Sequence, residues 1–215
     1  MNPVLIFDLD GTLADSKSDL AAAVNYVRGT YNLPVLPDDQ ITAFIGNGAR
    51  QLIRKALGPE VSEEELHVAL KSFLHYYRQH MLDRTVLYPG VRETLDRLQD
   101  FKLAVLTNKP LYFSCSMLDG LGIYRYFSAV YGGNSFVNKK PDPTGIFQIL
   151  SDTRARREWS WMIGDSSVDV QTGRNAGVRT CGVTYGYAPD TFKTHPPDFE
   201  IDRFAEIEAL VRTRV

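Results

Sequence analysis

The sequence predicts an α/β fold, a doubly wound, Rossmann-like parallel sheet with a helical cap inserted after its first strand. Three observations predict it. Short apolar, β-rich runs without polar alternation recur along the chain, as strands buried on both faces require. Helical periodicities separate most of them. The alternation then fails once, over roughly seventy residues after the first strand, far more than one crossover needs.

The strand runs are residues 4–7, 103–107, 129–131, 161–163 and 180–184. Helical patterns fall at 91–98, 113–121, 144–150 and 168–176. In the interruption Leu20, Val24, Val27 and Tyr31 share one helical face. Ser62 followed by Glu65 is a capping box, and Leu66, Leu70, Phe73, Leu74 and Tyr77 then form a stripe that reads as helix packing. Pro34, Pro37, Gly58-Pro59 and Pro89-Gly90 punctuate this stretch. The expected division is a core of residues 1–14 and 87–215 and a cap of residues 15–86, over the open end of the sheet.

Composition narrows the class. The 44% hydrophobic and 23% charged content is that of an ordinary globular chain. A formal charge of −2 gives no broad cationic surface, so no nucleic-acid partner is expected. No apolar run is long enough for a bilayer, and no membrane partner is expected. The N-terminal residues lack a basic n-region, and Cys115 and Cys181 are too few for a disulfide framework. The expectation is a cytoplasmic protein; nothing in the sequence sets its oligomeric state.

In open α/β sheets, ligands bind beyond the carboxyl ends of the strands. Asp8, Asp10, Gly11 and Thr12 follow the first run, and Thr107, Asn108 and Lys109 the second. A loop after the third leads to Lys139-Lys140-Pro141, and Asp165, Ser166, Ser167 and Asp169 follow the fourth. Asp8 and Asp10, two apart in extended backbone, share a face. Unscreened carboxylates at about 4 Å repel by roughly 4 kcal/mol at an effective dielectric near 20, so gathering them calls for a cation. Oxygen donors without nearby His or Cys favour Mg²⁺. Asp8, deeper in the strand end, suits a nucleophile that accepts a phosphoryl group. Asp10 suits the acid that protonates the leaving oxygen and the base that later activates water. Thr107 and Lys140 suit the phosphoryl oxygens, Asp165 the metal, and Asp169 the orientation of that ligand or of Lys140.

Each piece also has a bland reading. Asp10-Gly11 makes a turn, Thr107 and Asn108 cap a helix, the Lys139–Asp142 stretch is a solvated loop, and Asp165 and Asp169 serve a helix N-terminus. Their succession at four strand ends is what those readings leave unexplained.

Together these residues resemble the four signatures of haloacid-dehalogenase-like phosphatases: Phe7-Asp8-Leu9-Asp10-Gly11-Thr12-Leu13, Leu106-Thr107-Asn108-Lys109, Lys140-Pro141-Asp142-Pro143 and Ile163-Gly164-Asp165-Ser166-Ser167-Val168-Asp169. The resemblance spans essentially the whole chain. It implies Asp8 as nucleophile, Asp10 as acid/base, and Mg²⁺ on Asp8, Asp165 and the Asp10 carbonyl. Asp15-Ser16, Asp19–Val24, Phe44-Ile45-Gly46-Asn47-Gly48-Ala49, Tyr88-Pro89-Gly90-Val91 and Gly132-Gly133 are similar to the phosphoglycolate phosphatases of that superfamily, with one departure, Asn134, where such sequences carry an acid. A small phosphorylated metabolite is the implied partner. Gly46, Asn47, Gly48 and Arg50 are then candidates for its anionic tail, the alternative being a plain turn with Arg50 facing water. Asp10 argues against a dehalogenase. A phosphatase of another small ester or pyrophosphate, a nucleotidase, a phosphosugar mutase, a phosphonate hydrolase using Lys55, and a non-catalytic phosphometabolite-binding module are the competing readings.

Overall fold

The computed structural model describes residues 3–213. In chain order the elements are β1 (Val4–Phe7), β2 (Ala14–Asp15), α1 (Lys17–Thr30), α2 (Asp38–Thr42), α3 (Ala49–Leu57), α4 (Glu63–His80), β3 (Val86–Leu87), α5 (Val91–Arg97), β4 (Lys102–Leu106), α6 (Leu111–Gly120), β5 (Ala129–Tyr131), α7 (Thr144–Thr153), β6 (Trp161–Gly164), α8 (Ser167–Ala176), β7 (Arg179–Val183), β8 (Phe199–Ile201) and α9 (Glu206–Arg212). Six strands form one parallel sheet in the order β5-β4-β1-β6-β7-β8. The first strand is central and the order runs outward from it on both sides, so the crevice at its carboxyl end is the expected ligand position.

The pleat explains the two layers. Along β1, Leu5 and Phe7 enter one apolar cluster and Val4 and Ile6 the other. Val91 and Leu95 of α5, Met117 and Leu118 of α6, and Ile207 and Val211 of α9 pack on the first face. Ile146 and Ile149 of α7 and Ala176 of α8 cover the second. All four residues of β1 are fully buried, which accounts for the unalternated apolar runs.

Helices α1 to α4 fill the interruption. Helix α4 starts at the expected capping box: the Ser62 hydroxyl accepts from the Glu65 N–H, and the Glu65 carboxylate accepts from the Ser62 N–H at 2.9 Å. Glu63, Glu64 and Glu65 in its first turn and Arg78 and His80 in its last complement the helix dipole. The chain leaves and re-enters the sheet through β2 and β3, which pair antiparallel at Ala14–Leu87 and Asp15–Val86. Beside them the buried Asp19 carboxylate accepts from the N–H groups of Arg84 and Thr85 and from the Thr85 hydroxyl. Three pieces had no sequence expectation: this two-residue ribbon, the edge strand β8 and the short helix α9. Among the described residues no helix is long and apolar enough to cross a membrane.

Candidate active site

The last rungs of the sheet deliver the site. The Asp8 N–H donates to Ile163 O at 2.9 Å and the Thr107 N–H to Tyr131 O at 3.0 Å, so both residues are still in register as they leave β1 and β4. The chain then turns at Gly11, φ +81°, where a Cβ would collide with the Asp165 carboxylate. Only glycine fits there.

Lys140 organises the acidic residues. Its Nζ lies 3.0 Å from Asp8 Oδ2 and 2.6 Å from Asp169 Oδ1, with all three residues buried. The second Asp169 oxygen accepts from the Ser166 N–H at 3.2 Å and the Ser166 hydroxyl at 2.7 Å, closing a capping box at the start of α8. Asp169 is thus both a helix cap and the partner of Lys140. Asp8 Oδ1 accepts from the Leu9 N–H at 2.7 Å, and Asp165 Oδ2 from the Tyr187 N–H at 2.6 Å.

Asp8, Asp165 and Asp169 each bring an oxygen within 4.8 Å of the others. Burial pushes the Asp8 carboxyl up to about 6; Lys140 pulls it back and the Asp169 charge adds to the rise. Burial, then the charges of Asp169 and Asp8, push Asp165 well up. Burial pulls the Lys140 ammonium down, but Asp169 and Asp8 outweigh it and hold Lys140 above its ordinary value. Three buried carboxylates against one ammonium leave a surplus of negative charge on oxygen donors only, a set that fits a hard divalent cation. Both oxygens of Asp169 are engaged, by Lys140 and by Ser166, while Asp8 and Asp165 border the cavity and present their carboxylates to it.

Asp10 belongs to a second network. Its carboxylate accepts from Lys109 Nζ at 3.1 and 3.2 Å and from the Ser16 hydroxyl at 2.5 Å. Lys109 also donates to the Tyr77 hydroxyl at 2.8 Å and sits 4.6 Å from that ring's centroid. The Tyr77 ring stacks on Phe73 at 5.5 Å. Burial, then Asp10 and Asp19, push the Tyr77 phenol well up, so it stays protonated. On the other side of Ser16, the Tyr187 hydroxyl accepts the Ser16 N–H at 2.7 Å.

A cavity lies between the strand-end loops and the segment inserted after β1. Asp8, Asp10, Thr107, Asn108, Lys109 and Asp165 line its floor. Leu20, Ile45, Leu52, Phe73 and Leu74 from the inserted helices, with Phe113 of α6, line its wall, together with Gly46 and Gly48. Lys140 and Asp169 stand directly behind Asp8. Thr107 Oγ1 accepts from the Lys109 N–H at 3.3 Å, which leaves its own O–H to donate.

Three candidate residues, Asn108, Arg50 and Asn47, are placed otherwise than expected. Asn108 lines the cavity, but its side chain is spent on backbone: Nδ2 donates to Gly46 O at 2.9 Å and Lys140 O at 3.2 Å, and Oδ1 accepts the Lys140 N–H at 3.0 Å. Arg50 does not reach the cavity. Ala49 and Leu52 take the inward face of α3, and successive helical residues turn by about 100°. Arg50 therefore points out and, with Arg54, pairs with Glu63 at the surface. Asn47 is likewise outside the lining. Asn134 takes a structural part, accepting the Leu111 N–H at 2.8 Å at the start of α6; an amide oxygen serves there as an acid would.

Sequence reasoning missed Lys109, Tyr77, Ser16 and Tyr187. For Lys109 a signal existed, since it stands in the strand-end loop that supplies Thr107. Tyr77 was assigned to packing, which holds for its ring; its hydroxyl, inside an apolar stripe, was the sign that a polar partner had to be near.

Comparison with known proteins agrees with this geometry. The family model of haloacid dehalogenase-like hydrolases matches residues 5–183, and the chain belongs to that family. A protein of Agrobacterium fabrum named phosphoglycolate phosphatase is 36% identical over 96% of this chain and 91% of its own length. One of the same name from Vibrio cholerae is 38% identical over 97% of this chain and 96% of its own. A crystal structure described as a predicted phosphoglycolate phosphatase from Haemophilus somnus superposes with a TM-score of 0.91 at 33% identity, covering 97% of each chain.

Proposed function

We propose that this phosphoric monoester hydrolase converts 2-phosphoglycolate to glycolate and phosphate, with Mg²⁺ as cofactor and an aspartyl-phosphate on Asp8 as intermediate. The observation that carries the reading is the separation of the two aspartates. Asp8 faces Lys140 and the metal-competent carboxylates, whereas Asp10, two residues on, is held away by Lys109 and Ser16. One environment suits a nucleophile and the other an acid/base group. The named relatives support the substrate.

In the first half-reaction an Asp8 oxygen attacks phosphorus, the bond from phosphorus to the ester oxygen breaks, and Asp10 gives its proton to the departing glycolate oxygen. In the second, Asp10 takes a proton from water as the water oxygen attacks phosphorus. The acyl-phosphate bond then breaks, leaving inorganic phosphate and free Asp8. Lys140 steadies the Asp8 carboxylate and the phosphoryl charge, and the free O–H of Thr107 donates to a phosphoryl oxygen. Mg²⁺ on Asp8, Asp165 and the Asp10 carbonyl supplies positive charge against the phosphoryl oxygens. Residues 1–14 and 87–215 act as the core and 15–86 as a cap that excludes water while the leaving group departs.

The test is phosphate release from 2-phosphoglycolate, pyrophosphate, a nucleoside monophosphate and glucose phosphates, with Mg²⁺ and with chelator. Chelator-sensitive turnover led by 2-phosphoglycolate is expected. Turnover led by another ester would overturn the substrate, and folded protein with no turnover would overturn the reaction.

A further inference from the structure

We propose that Lys109 is the specificity-determining residue of the site, receiving a second anionic group on the substrate in exchange for the Asp10 carboxylate that it now holds. The proposal rests on the phosphoglycolate reading and says which side chain enforces it. An ester with an anionic tail calls for a cation in the cavity lining, beside the position of its ester oxygen. Among the described residues Lys109 is the one cationic side chain in the cavity lining. The arginines that might have come from α3 are committed elsewhere, Arg50 and Arg54 to Glu63 at the surface. Arg28 donates to the Pro34 and Ala56 carbonyls. Apart from the Tyr77 hydroxyl, the side chains that the inserted segment adds to the lining are apolar.

The position of Lys109 matches the chemistry of a short tail. Its Nζ is 3.1 Å from an oxygen of Asp10, the group assigned to protonate the ester oxygen. In 2-phosphoglycolate the carboxylate carbon is two bonds from that ester oxygen. An ester oxygen brought beside Asp10 therefore carries its carboxylate to Lys109. The ammonium also has a ready orientation: the Tyr77 hydroxyl at 2.8 Å and the Tyr77 ring at 4.6 Å fix it from the cap side, leaving N–H donors for one carboxylate or another.

The exchange explains why Lys109 is paired with Asp10. A buried ammonium stripped of its counter-charge is costly, so Asp10 stays bound until another anion arrives. A substrate carboxylate takes its place on Lys109 and frees Asp10 for the leaving oxygen. An ester with a neutral tail offers no such replacement. Lys109 thus selects on charge twice, by binding the tail and by releasing the acid.

The decisive quantity is the ratio of kcat/KM for 2-phosphoglycolate to that for ethyl phosphate, because any loss of activity common to both esters cancels in it. In the Mg²⁺-loaded wild-type enzyme the ratio should favour 2-phosphoglycolate strongly. Lys109→Met should lower it at least thirtyfold, chiefly through KM for 2-phosphoglycolate, and Lys109→Arg should restore most of it. Lys139→Met is the competing assignment, since Lys139 Nζ lies close to Gly48 at the cavity edge; it should leave the ratio alone. A ratio unchanged by Lys109→Met, with both esters slowed together, would confine Lys109 to holding Asp10 and overturn the inference. So would a collapse in Lys139→Met. A second measurement needs no variant at Lys109: on the wild-type enzyme, 3-phosphonopropionate should inhibit at least thirtyfold more tightly than propylphosphonate, and equal inhibition overturns the proposal. A wild-type enzyme that turns over ethyl phosphate as well as 2-phosphoglycolate sinks the substrate reading itself. A preference that survives Lys109→Met sinks only this inference.

Discussion

The floor and the wall of the cavity are built on opposite principles. The floor sets Asp8 and Asp165, with Asp169 and Lys140 behind them, in a buried network in which nearly every oxygen has an assigned partner. The wall presents Leu20, Ile45, Leu52, Phe73 and Leu74, and Arg50 and Arg54 behind it pair with Glu63 on the outside. Charge in a low-dielectric floor acts strongly on a reacting phosphoryl group, and an apolar wall excludes water without competing for it. The difference implies that changes to the floor abolish the reaction, while changes on the outside of the wall barely register.

The strongest test of that contrast is Asp8→Asn, which should lower kcat by about 10⁴-fold or more while the folded protein still binds 2-phosphoglycolate. Residual turnover within tenfold of wild type would mean that the nucleophile lies elsewhere. Next comes Asp169→Ala, which strips Lys140 of its 2.6 Å partner and opens the α8 capping box. Breaking a buried pair on one side costs about 3–5 kcal/mol, measurable by urea unfolding. A loss below about 1 kcal/mol would show that Lys140 is held by Asp8 alone.

A pH series sharpens the comparison further. The Asp8 carboxyl titrates at about 6 when folded, against 3.8 for an ordinary aspartate. Between those values the folded chain binds more protons than the unfolded one. Its stability in chelator should therefore fall on this account as pH rises from 3.8 to about 6, and level off above. Asp8→Asn should reduce that slope, the remainder coming from Asp165, which burial also pushes up; a slope undiminished in the variant would show that Asp8 does not contribute to it. The smallest effect belongs to the outside of the wall. Arg50→Ala should leave kcat/KM within about twofold and cost less than about 1 kcal/mol, because its ion pair is exposed. A tenfold rise in KM would show that Arg50 reaches the substrate after all.

How much of this was legible depended on whether the signal was local. The buried strands announce themselves through unbroken apolar runs, and α4 through Ser62 and Glu65, because each is specified by neighbours in sequence. Asp8, Asp10, Thr107, Lys140 and Asp165 were legible because strand ends of a parallel sheet converge whatever the loops do. The three-residue β8, the two-residue β2 and β3 and the seven-residue α9 were not, since pieces that short carry no period and exist through their neighbours. The partners of Asp10 were hidden for a related reason. Ser16, Lys109 and Tyr77 come from three distant stretches, and only the packing of Tyr77 of α4 against Phe113 of α6 brings its hydroxyl to Lys109.

Asn108 carries one more consequence. A single primary amide grips the Gly46 carbonyl on one side and both polar atoms of the Lys140 peptide on the other. It works as an interlock, joining the peptide beneath the ammonium that faces Asp8 to a loop 62 residues upstream of Asn108. The Lys140 amide proton, donated to that same side chain, is an observer of the interlock stationed inside the core. The deuterium it takes up from solvent records how often Asn108 lets go of the Lys140 backbone.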